Sequence, residues 1–378
     1  MTSQLRVTHV IHELHPGGAE QVLVDLAAAF PEAGVELSVL SLMPTEGQAY
    51  ADRLRSLGVP VSSLHLPNRW DPRGLRRAVD ALAATRPDVV HAHMKHADLV
   101  GAFASRRLGV PLVSTLHLIE DAVTPLGRGK RWLAGQARLR RAARTIAVSD
   151  AVRRWYVTTF PQARAASVVT VRNGRAVPAD ISPIRRAELR AELGLPADAL
   201  VVAKVGLMRP GKGQAAALAA AAELSARAPH LDVRFLFLGD GELRPELERQ
   251  AAARGIADRV VFAGYRNDVP DLLQVTDLLV HASDFDALPT ALIEALGAGL
   301  PVVAYRVGGV PEIVTPETGC LVEPGDVAGL ARALADLASD PVRRADLSRA
   351  ARARFTAEFA SSTFARRLRD LYDEVRAE

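Results

Sequence analysis

Residues 283–303 read SDFDALPTALIEALGAGLPVV. The preceding LLVHAS is β-branched and apolar and reads as a strand. SDFDALP has loop composition, TALIEALGAG has a helical pattern opening at Pro289–Thr290, and LPVVAY reads as the next strand. A strand, loop, helix and strand in this order form the repeat of a parallel α/β sheet. Asp286 falls in the loop, and Glu294 falls one turn into the helix, eight positions on. A half-buried carboxylate needs hydrogen-bonding partners, and the hydroxyls of a sugar and a ribose are expected to supply them. The competing reading pairs Glu294 with an arginine. DFD also matches the Asp-x-Asp metal motif found in one class of sugar transferases, but a metal needs further oxygen ligands that this pattern does not supply.

The same alternation runs in both directions from this stretch. LRVTHVIHEL, VELSVLSLM, DVVHAH, PLVSTLH and RTIAVS read as strands of one series; ALVVAKVGLM, DVRFLFLGDG, RVVFAGY, DLLVHAS, LPVVAY and GCLVEP form a second. Between them, VRNGRAVPADISP is rich in proline and carries no strand signal, which places a boundary near Asn173–Asp180 and gives domains 1–176 and 177–359. At 378 residues the chain is long for a single core. The expectation is α/β: two Rossmann-like doubly wound domains facing a central cleft, with ligands beyond the carboxyl ends of the strands.

Composition narrows the class. An apolar fraction of 49% and a charged fraction of 24% are those of a globular protein. One cysteine, Cys320, excludes an internal disulfide. The first residues lack the apolar core of a signal peptide, and no window is long and apolar enough for a membrane span. A cytoplasmic protein is expected. The net charge of +4 is uneven: residues 1–180 hold 23 Arg and Lys against 15 Asp and Glu. Aromatic residues make up 5%, with no base-stacking motif, so nucleic acid is not an expected partner.

Two glycine turns point to an anion. In LHPGGAEQ, Gly17 and Gly18 follow the first strand and open a helix, where they either let the backbone approach a ligand or simply make the tight strand-to-helix turn. In VGLMRPGKGQ, Arg209 and Lys212 flank Gly211 just before a helix. The chain has four lysines against 43 arginines, so a lysine in a glycine turn stands out. Two cations and a helix N-terminus suit a diphosphate, although the spacing is not that of a Walker loop. HAHMKH, residues 91–96, places His91 and His93 on one side of a strand; cleft-lining or structural roles are preferred over zinc, which requires a fourth ligand. Residues 128–144 hold seven basic residues and no acid, with Trp132, Leu133 and Leu139 as an apolar edge. They read either as a solvated helix face or as a helix lying on an anionic membrane, peripheral at its inner face.

PGGAEQ, DVVHAH, STLH, AVSDAV before VRNG, VGLMRPGKG and SDFDALPTALIEALGAGLPVVAYRVGGVPEIV together resemble the retaining glycosyltransferases of family 4, which have the GT-B fold. The resemblance spans essentially the whole chain. It implies a metal-independent, retaining, hexosyltransferase-type enzyme of glycoconjugate biosynthesis. Such an enzyme needs no cofactor and moves a sugar from a UDP- or GDP-linked donor to a hydroxyl acceptor, many family acceptors being lipid-linked. It also implies that the helix 360–378 packs back on the N-terminal domain. Gly17 and Gly18 would approach the diphosphate, and Arg209 and Lys212 would neutralise it. The family's Glu-x7-Glu motif falls on Asp286, for sugar hydroxyls, and Glu294, for the ribose. Leu288, Pro289 and Thr290 would border the phosphate or sugar, Tyr265 and Arg266 the base, and His117 the reacting centre. Two departures stand out: the first Glu is Asp286, and the arginine expected after Gly206 is Leu207. They leave a non-catalytic nucleotide-sugar-binding protein as one alternative. A nucleotide-sugar epimerase of the same fold is another.

Overall fold

The computed structural model describes residues 4–15, 17–65, 72–119, 125–163 and 167–378. It divides into unit 1, Met1–Ala176 with Phe359–Glu378, and unit 2, Val177–Glu358. The strands of unit 1 are β1 (Leu5–Ile11), β2 (Val35–Ser41), β3 (Val61–Ser63), β4 (Val89–His93), β5 (Leu112–Leu116), β6 (Ala142–Ala147) and β7 (Val168–Thr170). They pair in parallel in the order β3-β2-β1-β4-β5-β6-β7. Unit 2 contributes β8 (Leu200–Val205), β9 (Val233–Leu238), β10 (Val260–Gly264), β11 (Leu278–His281), β12 (Val302–Tyr305) and β13 (Gly319–Val322). These are also parallel, in the order β10-β9-β8-β11-β12-β13.

Helices fall between most strands and cover the sheets, so the central strands are buried on both faces and read as apolar runs rather than as alternation. β4, β5, β11 and β12 are buried throughout. β3 and β7 escaped the sequence reading. Each is three residues long and only partly buried, too short for a periodic signal.

Each sheet reverses its strand order once, between β1 and β4 in unit 1 and between β8 and β11 in unit 2. Beside such a reversal the two connections leave toward opposite faces and open a crevice at the strands' carboxyl ends. The segments that follow β8 and β11 are the lysine turn and the Asp286 loop, and the strands flanking the unit 1 reversal carry His9, His91 and His93.

The last helix, Ser361–Ala377, belongs to unit 1. Phe364, Leu368, Leu371, Tyr372 and Val375 recur at helical spacing and are buried with Leu5, Val7 and Phe30. Arg175 and Ser361 fix the chain's return: the Arg175 amide donates to the Phe359 carbonyl, and the Ser361 amide donates to the Arg175 carbonyl.

The basic stretch 128–144 is not one helical face. The helix is Pro125–Arg141, and Arg144 lies in β6. Arg138 is buried against Asp98 at 2.7 Å, and Arg144 pairs with Glu374 and Glu378. Two of the seven charges are thus neutralised within unit 1. The side chains of Arg128 and Lys130 lie outside the described residues. Trp132 is exposed. Among the described residues no helix is long and apolar enough to cross a membrane.

Candidate functional site

The lysine turn and the Asp286 loop of unit 2 are built against each other. Gly213 has φ +73°, and a Cβ there would lie 1.9 Å from the Ala282 carbonyl oxygen, so only glycine admits this approach. The Asp284 amide donates to the Gly211 carbonyl at 3.0 Å. On the other side of the loop, the Gly309 amide donates to the Asp286 carbonyl. These bonds bring Lys212 Nζ to 2.7 Å from Asp286 Oδ1, while His281 Nε2 stands 2.9 Å from Oδ2. Lys204, on β8, is buried close enough to feel the same carboxylate.

The electrostatics of this group follow from its burial. Desolvation alone would raise the Asp286 carboxyl. The hydrogen bonds and charges of His281 and Lys212 outweigh it and hold the group well below the usual carboxylate range. Burial lowers His281 against the pull of Asp286, and Lys204 and Lys212 add to that lowering. Burial brings Lys204 down to about 8, with Asp286 resisting and Lys212 assisting. Two lysines around one carboxylate leave an excess of positive charge at the N-terminus of the helix Gln214–Arg227, whose first amides lack intrahelical acceptors. Such an arrangement can hold an anion, with a carboxylate at its edge.

Asp286 also finds partners within the chain. Lys212 and His281 both hydrogen-bond its carboxylate, because a carboxylate this buried recruits nearby donors. His281 escaped the sequence reading: it stands inside an apolar strand, where a lone histidine carries no signal. Arg209 is exposed and has no salt bridge among the described residues, so its cation is available. Leu207 is exposed beside it. Leu288 and Pro289 are buried where the loop enters the helix Thr290–Ala298; Glu294 is half-buried on that helix. Tyr265 and Arg266 follow β10. Tyr265 is exposed, while Arg266 is engaged by Asp268 and Glu192, each at 2.7 Å.

Unit 1 gathers histidines. Gly17 precedes the helix Gly18–Ala29 in extended conformation, and the Glu20 carboxylate lies over it. Pro16 lies outside the described residues. His117, just past β5, has its Nε2 2.9 Å from His93 Nδ1. His93 Nε2 is 2.9 Å from His9 Nδ1. Tyr372 OH, from the last helix, is 3.2 Å from His9 Nε2 and 2.6 Å from His91 Nδ1. His91 Nε2 is 2.7 Å from Thr115 Oγ1. The sequence showed HAH on one strand; its register beside His9 on β1 and the arrival of Tyr372 from position 372 are tertiary facts.

Comparison with known proteins identifies the family and the fold. The family model described as Glycosyltransferase Family 4 matches residues 16–176, and that described as Glycosyl transferases group 1 matches residues 185–354. The chain is 30% identical to the 2-deoxystreptamine N-acetyl-D-glucosaminyltransferase of Streptomyces fradiae, covering 90% of this chain and 83% of the relative. It is 34% identical to the D-inositol 3-phosphate glycosyltransferase of Streptomyces avermitilis, covering 78% and 67%. The crystal structure of HepE from Anabaena in complex with UDP and glucose superposes with a TM-score of 0.84 at 26% identity, over 98% of this chain and 100% of that one. Two parallel sheets that each reverse once and these matches give one conclusion: the chain belongs to the family 4 glycosyltransferases and has the α/β GT-B fold.

Proposed function

We propose that this glycosyltransferase takes its sugar from a nucleotide-sugar donor, UDP-linked in the first instance, and transfers it to a hydroxyl acceptor with retention at the anomeric carbon. The Lys212–Asp286–His281 cluster at the carboxyl ends of β8 and β11 carries this reading. It offers cations for a pyrophosphate and a carboxylate that is ionised at any physiological pH. UDP in the HepE complexes supports the choice of base.

In this reading Arg209 and Lys212 neutralise the diphosphate as it leaves, and the free amides of the following helix add a fixed dipole. Lys212 is shared between carboxylate and phosphate, so donor binding loosens Asp286 toward the sugar hydroxyls. Glu294 meets the ribose, and Tyr265 and Arg266 border the base. The backbone around Leu288, Pro289 and Thr290 faces the sugar or phosphate. In unit 1, Gly17 and Gly18 give backbone access to the donor, and His117 serves the reacting centre. The leaving diphosphate takes the proton of the incoming hydroxyl on the same face, and the protein's own cations do the work a metal does elsewhere.

The test is incubation with UDP-, GDP-, ADP- and dTDP-sugars, with and without polyol acceptors, followed by NMR of the anomeric centre. Acceptor-dependent release of nucleoside diphosphate with the donor's configuration kept supports the reading. An inverted product, or an epimerised donor without transfer, contradicts it.

A further inference from the structure

Four imidazoles, a phenol and a threonine hydroxyl form one unbranched chain of hydrogen bonds in unit 1: Thr115, His91, Tyr372, His9, His93, His117. Burial holds His9 at about 3, His117 at about 4, and His91 and His93 well below the ordinary imidazole value, so each ring is neutral at pH 7. A neutral imidazole has one N–H and one lone pair. In an unbranched chain of such rings the direction of any one bond dictates the direction of all the others.

Tyr372 has a single proton and two imidazole neighbours. It can donate to one and must accept from the other. The contact to His91 Nδ1, at 2.6 Å, has the length of a hydroxyl donating; that to His9 Nε2, at 3.2 Å, has the length of a ring N–H donating to oxygen. The chain then reads outward from the phenol. His9 Nε2–H donates to Tyr372, His93 Nε2–H donates to His9 Nδ1, and His117 Nε2–H donates to His93 Nδ1. On the other arm, Tyr372 donates to His91, which donates from Nε2 to Thr115. His117 Nδ1 is the only ring nitrogen of the four without a partner among the described residues.

His9, His91 and His93 also lie close enough together to suggest a metal site. The bonding argues against it: every ring nitrogen of these three residues already has a hydrogen-bond partner, and a metal would have to break the His9–His93 bond and another beside it.

We infer that Tyr372, acting through His9 and His93, fixes the tautomer of His117, so that His117 keeps its Nε2–H inside the protein and presents an Nδ1 lone pair as a hydrogen-bond acceptor for a hydroxyl. Tyr372, His9 and His93 are positioning residues. The function given to the lone pair rests on the reading under Proposed function; the tautomer does not.

The experiment is long-range 1H–15N correlation on the full chain with 15N-labelled histidine, at pH 7.5 and without nucleotide sugar. Wild-type His117 is expected to show a protonated, pyrrole-type Nε2 and an unprotonated, pyridine-type Nδ1. Tyr372→Phe removes the proton that orders the chain and should turn His117 into a mixture of tautomers. Thr115→Val takes the acceptor from His91 while leaving Tyr372 in place; through the same coupling it should also broaden the His117 tautomer, which keeps the inference testable if Tyr372→Phe folds poorly. An Nδ1-protonated His117 in the wild type, a single unchanged His117 tautomer in both variants, or a stoichiometric metal bound through His9 and His93 in the purified protein would overturn the inference. In turnover assays Tyr372→Phe is expected to lower kcat about tenfold with donor KM unchanged. A changed tautomer with unchanged kcat would leave the relay standing and remove His117 from the reaction.

Discussion

Lys212 and Asp286 stand 74 positions apart in the chain and 2.7 Å apart in space. Both side chains are largely buried, so their bond is screened little. Charge-assisted bonds of this kind are worth about 1.5–3 kcal/mol. Lys212→Ala and Asp286→Asn, singly and together, are expected to show a coupling of about 1–2 kcal/mol in urea denaturation. Additive single effects would mean the contact does not form in solution.

The buried histidines make stability depend on pH with a definite sign. Their folded-state values lie below the ordinary value of about 6.5, so the unfolded chain binds more protons below that pH. Stability is therefore full above about pH 6.5 and falls on acidification by up to about 1.4 kcal/mol per pH unit for each such histidine. The urea midpoint should drop clearly between pH 7.5 and pH 5.5, and His93→Gln should flatten the slope. A midpoint that does not move would show that these rings are protonated in the fold. Asp286 acts in a separate window: its stabilisation is lost only as the pH falls below about 3.9.

Gly213→Ala places a methyl group against the Ala282 carbonyl and forces an L-residue into the left-handed region. A cost of about 1–3 kcal/mol is expected, together with loss of UDP binding, because the same contact sets Lys212 beside Asp286. Gly194→Ala has the same φ sign but no neighbour within 4 Å of its Cβ. It should cost less and spare binding. Equal binding by the two variants would break the link between this turn and the site.

Asp98 accepts from Arg138 and from Ser114, and all three side chains are buried. Asp98→Ala leaves the guanidinium buried without its carboxylate and is expected to cost about 3–5 kcal/mol. A loss under 1 kcal/mol in urea titration would return Arg138 to the solvent-facing set from which the fold removes it.

Most of the fold was legible because parallel strands buried on both faces leave continuous apolar runs with glycine turns and helices between them. β3 and β7 were not, because three half-buried residues carry no period. In the site, Lys212 and Asp286 stood out through rarity and loop context, and each was given a ligand as its partner. That they hold each other could not be read, because it depends on the crossing of two loops set by Gly213. His281 and Tyr372 were invisible for the same reason: an apolar strand and an amphipathic helix explain both residues until the sheet order and the helix docking put them beside Asp286 and His91.

The central claim is that the cluster after β8 and β11 holds a nucleoside diphosphate. Calorimetric titration of UDP into wild type, Lys212→Ala and Arg140→Ala tests it most directly, Arg140 being an exposed arginine of unit 1. The account predicts a dissociation constant at least about tenfold weaker for Lys212→Ala, a difference of about 1.4 kcal/mol, and no change for Arg140→Ala. Equal affinities in all three proteins would contradict it.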